Sequence, residues 1–249
     1  MADIPAFSKD DALKCLKGKS VVFLGDSLMR QIYQDFVTLL CSGKMTSHQQ
    51  KLHGERTQRY LEDRLVPGTG QIVTGRGYRE EREMKLERDS LKLQYCFLTQ
   101  CWNLDVKNYL ERARKDGDPD LILVLSCLWD INRWGSRVGI EKYKTNCKEL
   151  LRFVRTRMGG GTQLVWLTCP PIAVEVTGGV VVEGMEGMVR GMRFNVMEAN
   201  LMVATETAAA GYDVLDLHYH LMHQVCGNML CFQNQISNPL YSPGPQADA

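Results

Sequence analysis

The sequence predicts an α/β chain: a three-layer α/β/α sandwich on a five-stranded, mainly parallel sheet. Two observations predict it. Five strand-sized apolar runs recur along the chain, at 21–24, 91–98, 121–125, 164–168 and 212–217. The segments between them place apolar residues at helical spacing, so strand and helix alternate as in βαβ units. Right-handed crossovers between parallel strands then put helices on both faces of the sheet.

The elements follow in order. Val21 to Leu24 ends at Gly25-Asp26, and Leu28, Ile32, Phe36 and Leu39 continue at spacings of four, four and three, one face of a helix. Ser27 therefore stands where a strand turns into a helix. Ser42 to Ser90 is polar and rich in both charges, including the run Arg76-Gly77-Tyr78-Arg79-Glu80-Glu81-Arg82-Glu83, and reads as a long surface excursion holding at most a helix or hairpin. Its Gly68, Gly70, Gly75 and Gly77 lack the preceding strand and following Lys-Ser/Thr of a phosphate cradle, so a solvated loop is expected.

Pro119-Asp120 marks the entry to the third strand. Ile140, Tyr143, Cys147, Leu150, Leu151 and Val154 predict a helix over 140–158, stopped by Gly159-Gly160-Gly161. Pro170-Pro171 ends the fourth strand. The stretch Thr177 to Gly184 reads as a turn and short strand near the site rim, a plain connection or a lid. From Gln224 onward Asn, Gln, Ser and Pro dominate, which predicts one domain over 1–223 and a disordered or loosely attached tail over 224–249. Gln224-Val225-Cys226 can be encoded as a read-through splice donor, so the tail is expected to mark an alternative or truncated isoform.

Thirty Lys and Arg balance 29 Asp and Glu, for a formal charge of +1. No global field gathers nucleic acid or an acidic membrane surface, and no nucleic-acid partner is expected. The first residues carry charges where a signal peptide needs a continuous apolar stretch, so none is expected. The apolar runs fall far short of the roughly 20 residues that span a bilayer, so no membrane span is expected either. Nine cysteines make an odd count, and Cys96, Cys127 and Cys169 lie in or just after apolar strands as small core residues. A reduced intracellular compartment, cytoplasmic or nuclear, is the expectation. Cys226 and Cys231 lack zinc partners and no paired Cys-x-x-Cys motifs exist, so neither metal nor cofactor is expected.

A serine at a strand-to-helix junction suits acyl transfer because a helix N-terminus presents backbone N–H groups and a positive dipole end where a tetrahedral oxyanion forms. Gly25 permits the tight turn and Asp26 braces it. Arg30, about one helical turn beyond Ser27, can bind an acidic side chain or an anionic substrate group. Taken alone, Gly-Asp-Ser is also what any N-capped helix start looks like. Its placement after the first strand of an α/β chain is what gives it functional weight.

Val21-Val22-Phe23-Leu24-Gly25-Asp26-Ser27-Leu28-Met29-Arg30 resembles the Gly-Asp-Ser-x-x-Arg block of the PC-esterase family of SGNH/GDSL hydrolases. Ser126-Cys127-Leu128-Trp129-Asp130 resembles that family's second block, and Asp213-Val214-Leu215-Asp216-Leu217-His218-Tyr219-His220 its segment leading into the C-terminal part of the site. The resemblance implies a flavodoxin-like SGNH sandwich, Ser27 as nucleophile, and an oxyanion hole and pocket drawn from Gly25, Arg30, Trp129, Asp130 and Asn132. Trp129 and Trp134 are equally readable as packing residues. The implied substrate is an acylated small molecule, glycan or glycoprotein.

The family also implies an Asp-x-x-His motif supplying the general base and its orienting carboxylate, and no such motif follows Asp216 here. His218 and His220, alternating on an expected strand end, with His223 beyond, are the candidate bases; core or surface packing is their other reading. Losing the base of a serine hydrolase costs about 10⁴ to 10⁶ in turnover. The sequence thus predicts an acyl-esterase site with impaired catalysis, a non-catalytic binding protein on the same fold, or a truncated isoform without independent function.

Overall fold

The computed structural model describes residues 8–44, 59–69, 75–134, 136–172 and 189–222. The strands are β1 (Ser20–Gly25), β2 (Arg59–Tyr60), β3 (Asp63–Leu65), β4 (Glu81–Leu86), β5 (Leu91–Phe97), β6 (Leu121–Leu125), β7 (Gln163–Leu167) and β8 (Asp213–Leu215). The helices, in chain order, are α1 (Lys9–Leu16), α2 (Ser27–Ser42), α3 (Leu104–Ala113), α4 (Leu128–Arg133), α5 (Ser136–Arg157), α6 (Val189–Ala209) and α7 (Leu217–Leu221).

One eight-stranded sheet runs in the order β2-β3-β4-β5-β1-β6-β7-β8. The five strands predicted from the apolar runs are β1, β5, β6, β7 and β8, and they pair in parallel. β1 sits between β5 and β6, so both its neighbours are strands and Val21, Val22, Phe23 and Leu24 are buried throughout. That is why this segment reads as an unbroken apolar run rather than an alternating one.

The faces can be assigned from ring contacts. Phe23 meets Tyr33 and Phe36 of α2 at centroid separations of 5.4 Å, which places α2 on one face. Trp166 meets Tyr143 of α5 at 6.5 Å, and its register partner Val124 shares that side. Helix α5 therefore covers the opposite face, α6 packs beside it, and the three layers of the prediction are present. Each fully buried Leu, Val or Phe of this core contributes about 1.5–3 kcal/mol.

The strand count differs from the expected five because 59–86 supplies three antiparallel strands beyond β5. The charged run was expected to be solvated, but its alternate residues Glu80, Arg82 and Met84 are buried while Arg79, Glu81 and Glu83 are less so. A period of two is the mark of a half-buried strand. Ion pairing lets charged residues occupy the inner positions, which hid the pattern. Gly70, the 177–184 segment and the 224–249 tail lie outside the described residues.

A second correction concerns the last segment. His218 and His220 are not on a strand end: β8 stops at Leu215 and Asp216 caps α7, its carboxylate accepting from the Tyr219 N–H at 3.0 Å. Positions two apart on a helix diverge, so the two rings do not share a side.

Candidate active site

Ser27 is the first residue of α2, at the C-terminal end of the central strand, and is half-buried. Asp26 is the N-cap: its carboxylate accepts the Leu28 N–H at 2.9 Å. That bond commits the Leu28 N–H and removes it from any oxyanion hole. Tyr95 braces the turn from β5, its hydroxyl donating to the carbonyls of Asp26 at 3.1 Å and Gly25 at 3.3 Å. The glycine has a different cause from the one expected. Its φ is not positive; instead a Cβ there would meet the Leu125 carbonyl oxygen and Met29 Cβ, both at 2.4 Å. Gly25 lets helix and strand approach closely, which seats Ser27 on the sheet edge.

Burial raises the Asp26 carboxyl to about 6, although the Leu28 N–H and the Arg30 charge pull it back. Asp130 lies in the first turn of α4, buried, and is raised to about 7, again by burial first. Its carboxylate accepts the Cys101 N–H at 3.0 and 3.1 Å and a short bond from the Ser126 hydroxyl. Tyr143 donates a short bond to the Ser126 carbonyl. Asp130 thus ties the loops after β5 and β6 together at the edge that carries Ser27. Asn132 is buried on the same short helix. Trp129 is half-buried and packs edge-on against Phe97 at 5.3 Å, while Trp134 donates its indole N–H to the Thr99 carbonyl at 3.1 Å.

Arg30 finds an acidic side chain. Its Nη1 lies 2.5 Å from Glu80 and 3.3 Å from the Tyr78 hydroxyl, which itself donates to Glu80 at 2.6 Å. Arg82 bridges Glu80 at 2.5 Å and Asp63 at 2.8 Å, and Tyr33 donates to Asp63 at 2.7 Å. The network joins α2 to the antiparallel extension. Burial opposes the Glu80 charge, but Arg30 and Arg82 outweigh it and hold its carboxyl below the ordinary value. Sequence reasoning missed Asp63, Glu80 and Arg82, because residue type shows no alternation where charges fill the inner positions.

His218 is brought to the end of β7. Its Nδ1 lies 3.1 Å from the Cys169 carbonyl and 3.2 Å from the Asn200 amide nitrogen, and its N–H donates to the Thr168 hydroxyl at 2.9 Å. Asn200 brackets Cys169, accepting its N–H at 2.8 Å and donating to its carbonyl at 2.9 Å. Strand β7 is two places from β1 in the sheet, about 10 Å at the usual strand spacing. His220 is exposed on α7, and His223 lies outside the described residues. Among the described residues no group of His, Cys, Asp and Glu is arranged to hold a metal, and no helix is long and apolar enough to cross a membrane.

No family model matches the chain. Curated relatives do. Human PC-esterase domain-containing protein 1A is 32% identical over 227 residues, 90% of this chain and 49% of the relative. Human PC-esterase domain-containing protein 1B is 34% identical over 213 residues, 84% of this chain and 48% of the relative. The chain spans about half the length of the curated relatives it matches. Among solved structures, the acetyl xylan esterase AlAXEase aligns with a TM-score of 0.44 at 11% identity, covering 82% of this chain and 80% of that one. The acetylxylan esterase Axe2 from Geobacillus stearothermophilus aligns with a TM-score of 0.43 at 12% identity, covering 86% and 82%.

Proposed function

The chain belongs to the PC-esterase domain-containing protein family, and from that premise we propose that Ser27 is the nucleophile of an acyl-ester hydrolase site. One observation carries the reading: Ser27 opens the helix that follows the central strand, at the sheet's C-terminal edge, where α/β folds bind ligands. The hydroxyl attacks the acyl carbonyl, and the oxyanion forms against the positive end of α2. Asp26 holds the turn. Asp130 fixes the neighbouring loops through Cys101 and Ser126, which gives the pocket a set shape. The substrate class is an acylated small molecule or glycan.

Proton transfer is the weak step. A base must come within about 3 Å of the serine proton or reach it through one water. His218 is anchored through Nδ1 at Cys169 and Asn200, which leaves Nε2 as the ring atom that would take the proton, and no Asp-x-x-His follows Asp216 in the sequence. The second reading is a binding protein that keeps the serine site without hydrolysis. Hydrolysis of p-nitrophenyl acetate by the wild type and Ser27→Ala decides between them: a Ser27-dependent rate supports the hydrolase, and equal rates remove Ser27 from any mechanism.

A further inference from the structure

Beside the serine edge the aromatic residues carry cations on their ring faces. The Arg133 guanidinium lies 4.5 Å from the ring centre of Trp129; Arg76 and the Lys142 ammonium lie 4.4 and 4.8 Å from that of Trp134. Arg76 is also locked by its other partner, donating to the Arg133 carbonyl from Nε at 2.9 Å and Nη2 at 2.5 Å. Elsewhere on this surface cations pair with carboxylates, as Arg79 does with Asp105 and Arg112 with Glu81. Among the described residues neither Arg76 nor Lys142 makes an ion pair, and both are exposed. On Trp134 positive charge is thus held in place without an ion pair among the described residues.

The patch is continuous with the candidate site. Phe97 is the register partner of Gly25, the Arg30 guanidinium lies 5.8 Å from its ring centre, and Trp129 packs against it at 5.3 Å. Trp134 is fastened to the loop after β5 through the Thr99 carbonyl. We propose that Arg76 and Lys142, mounted on Trp134, bind an oxyanion group of the ester substrate, so that the acylated molecule is an anionic saccharide carrying sulfate or carboxylate. A guanidinium and an ammonium over one indole suit such groups through charge-assisted hydrogen bonds, and a neutral sugar gains nothing from them. The word substrate rests on the esterase reading; the binding rests on the side-chain arrangement alone.

The test is therefore a titration and not an assay of hydrolysis. The Ser27→Ala chain is titrated by tryptophan fluorescence and calorimetry with a heparin hexasaccharide (sulfate), a hyaluronate hexasaccharide (carboxylate) and neutral maltohexaose, at low and raised salt. Binding of at least one charged probe, weakened by salt and about tenfold weaker in Arg76→Gln/Lys142→Gln, is the expected result. The probe preferred identifies the anion. Lys142→Gln alone, on the exposed side of α5, gives a smaller loss in the same direction and answers the question if the Arg76 change disturbs the end of α4. Maltohexaose binding as tightly as the charged probes, or undiminished binding by the variants, overturns the proposal. Failure of Ser27-dependent hydrolysis in the wild type, with charged binding intact, would instead count against the esterase reading.

Discussion

Two groups of buried carboxylates flank the start of α2, and they are held in opposite ways. On the antiparallel side Glu80 lies between the guanidinium groups of Arg30 and Arg82 and is kept ionised below its ordinary range. At the sheet edge Asp26 and Asp130 are held by N–H and O–H donors, and burial raises them to about 6 and about 7. The first group is a charged clamp whose worth depends on complete pairing. The second stores protons near neutrality beside the candidate nucleophile. Asp63, paired with Arg82 in the same clamp, is still raised by burial, so a buried carboxylate is cheap to ionise only where its cations outweigh the burial.

The largest effect expected from breaking this contrast comes from Arg82→Leu, which strips Glu80 and Asp63 of their shared cation. A loss of about 3–5 kcal/mol in urea unfolding is expected, since it leaves buried charge uncompensated. The Asp130 prediction concerns pH. Unfolded, this group titrates near 3.8; folded, near 7. Across that window the unfolded chain releases its proton while the folded chain keeps it, so stability falls as pH rises from about 4 to about 7. At ~1.36 kcal/mol per unit the group accounts for about 4 kcal/mol of that fall, and Asp130→Asn should flatten the slope of unfolding free energy against pH.

The Glu80 contribution has the opposite sign and is lost as pH falls through its lowered folded value. A smaller effect sharpens the clamp: Tyr33→Phe removes the hydroxyl bonded to Asp63 and should cost about 1–3 kcal/mol by the same measurement. Least of all is Asp26→Asn. Its side-chain oxygen can still accept the Leu28 N–H, so at about pH 4, below the window in which the raised carboxyl costs stability, unfolding free energy should change by under about 1 kcal/mol, whereas Asp26→Ala loses the cap at a cost of about 1–2 kcal/mol.

The contrast also explains what was legible in the sequence. The parallel strands were readable because β1, β5, β6 and β7 present apolar side chains inward, and burial speaks directly through residue type. The helix after Ser27 was readable from Leu28, Ile32, Phe36 and Leu39 for the same reason. The antiparallel extension was not, because Asp63, Glu80 and Arg82 fill inner positions with charge, and their pairing exists only once separate segments meet. At the site, the position of Ser27 and the cap at Asp26 were local and therefore legible. The close approach that demands Gly25 depends on Leu125 and Met29, and the anchoring of His218 depends on Thr168, Cys169 and Asn200. Spacing along the chain carries no record of such neighbours.

The nucleophilic role of Ser27 is tested most directly by covalent labelling. The wild-type chain is treated with a fluorophosphonate and the modified peptide located by mass spectrometry, with Ser27→Ala alongside. The account predicts one phosphonyl adduct, on Ser27, absent from the variant. An adduct on another serine, or none on Ser27 after prolonged exposure of folded protein, would contradict it.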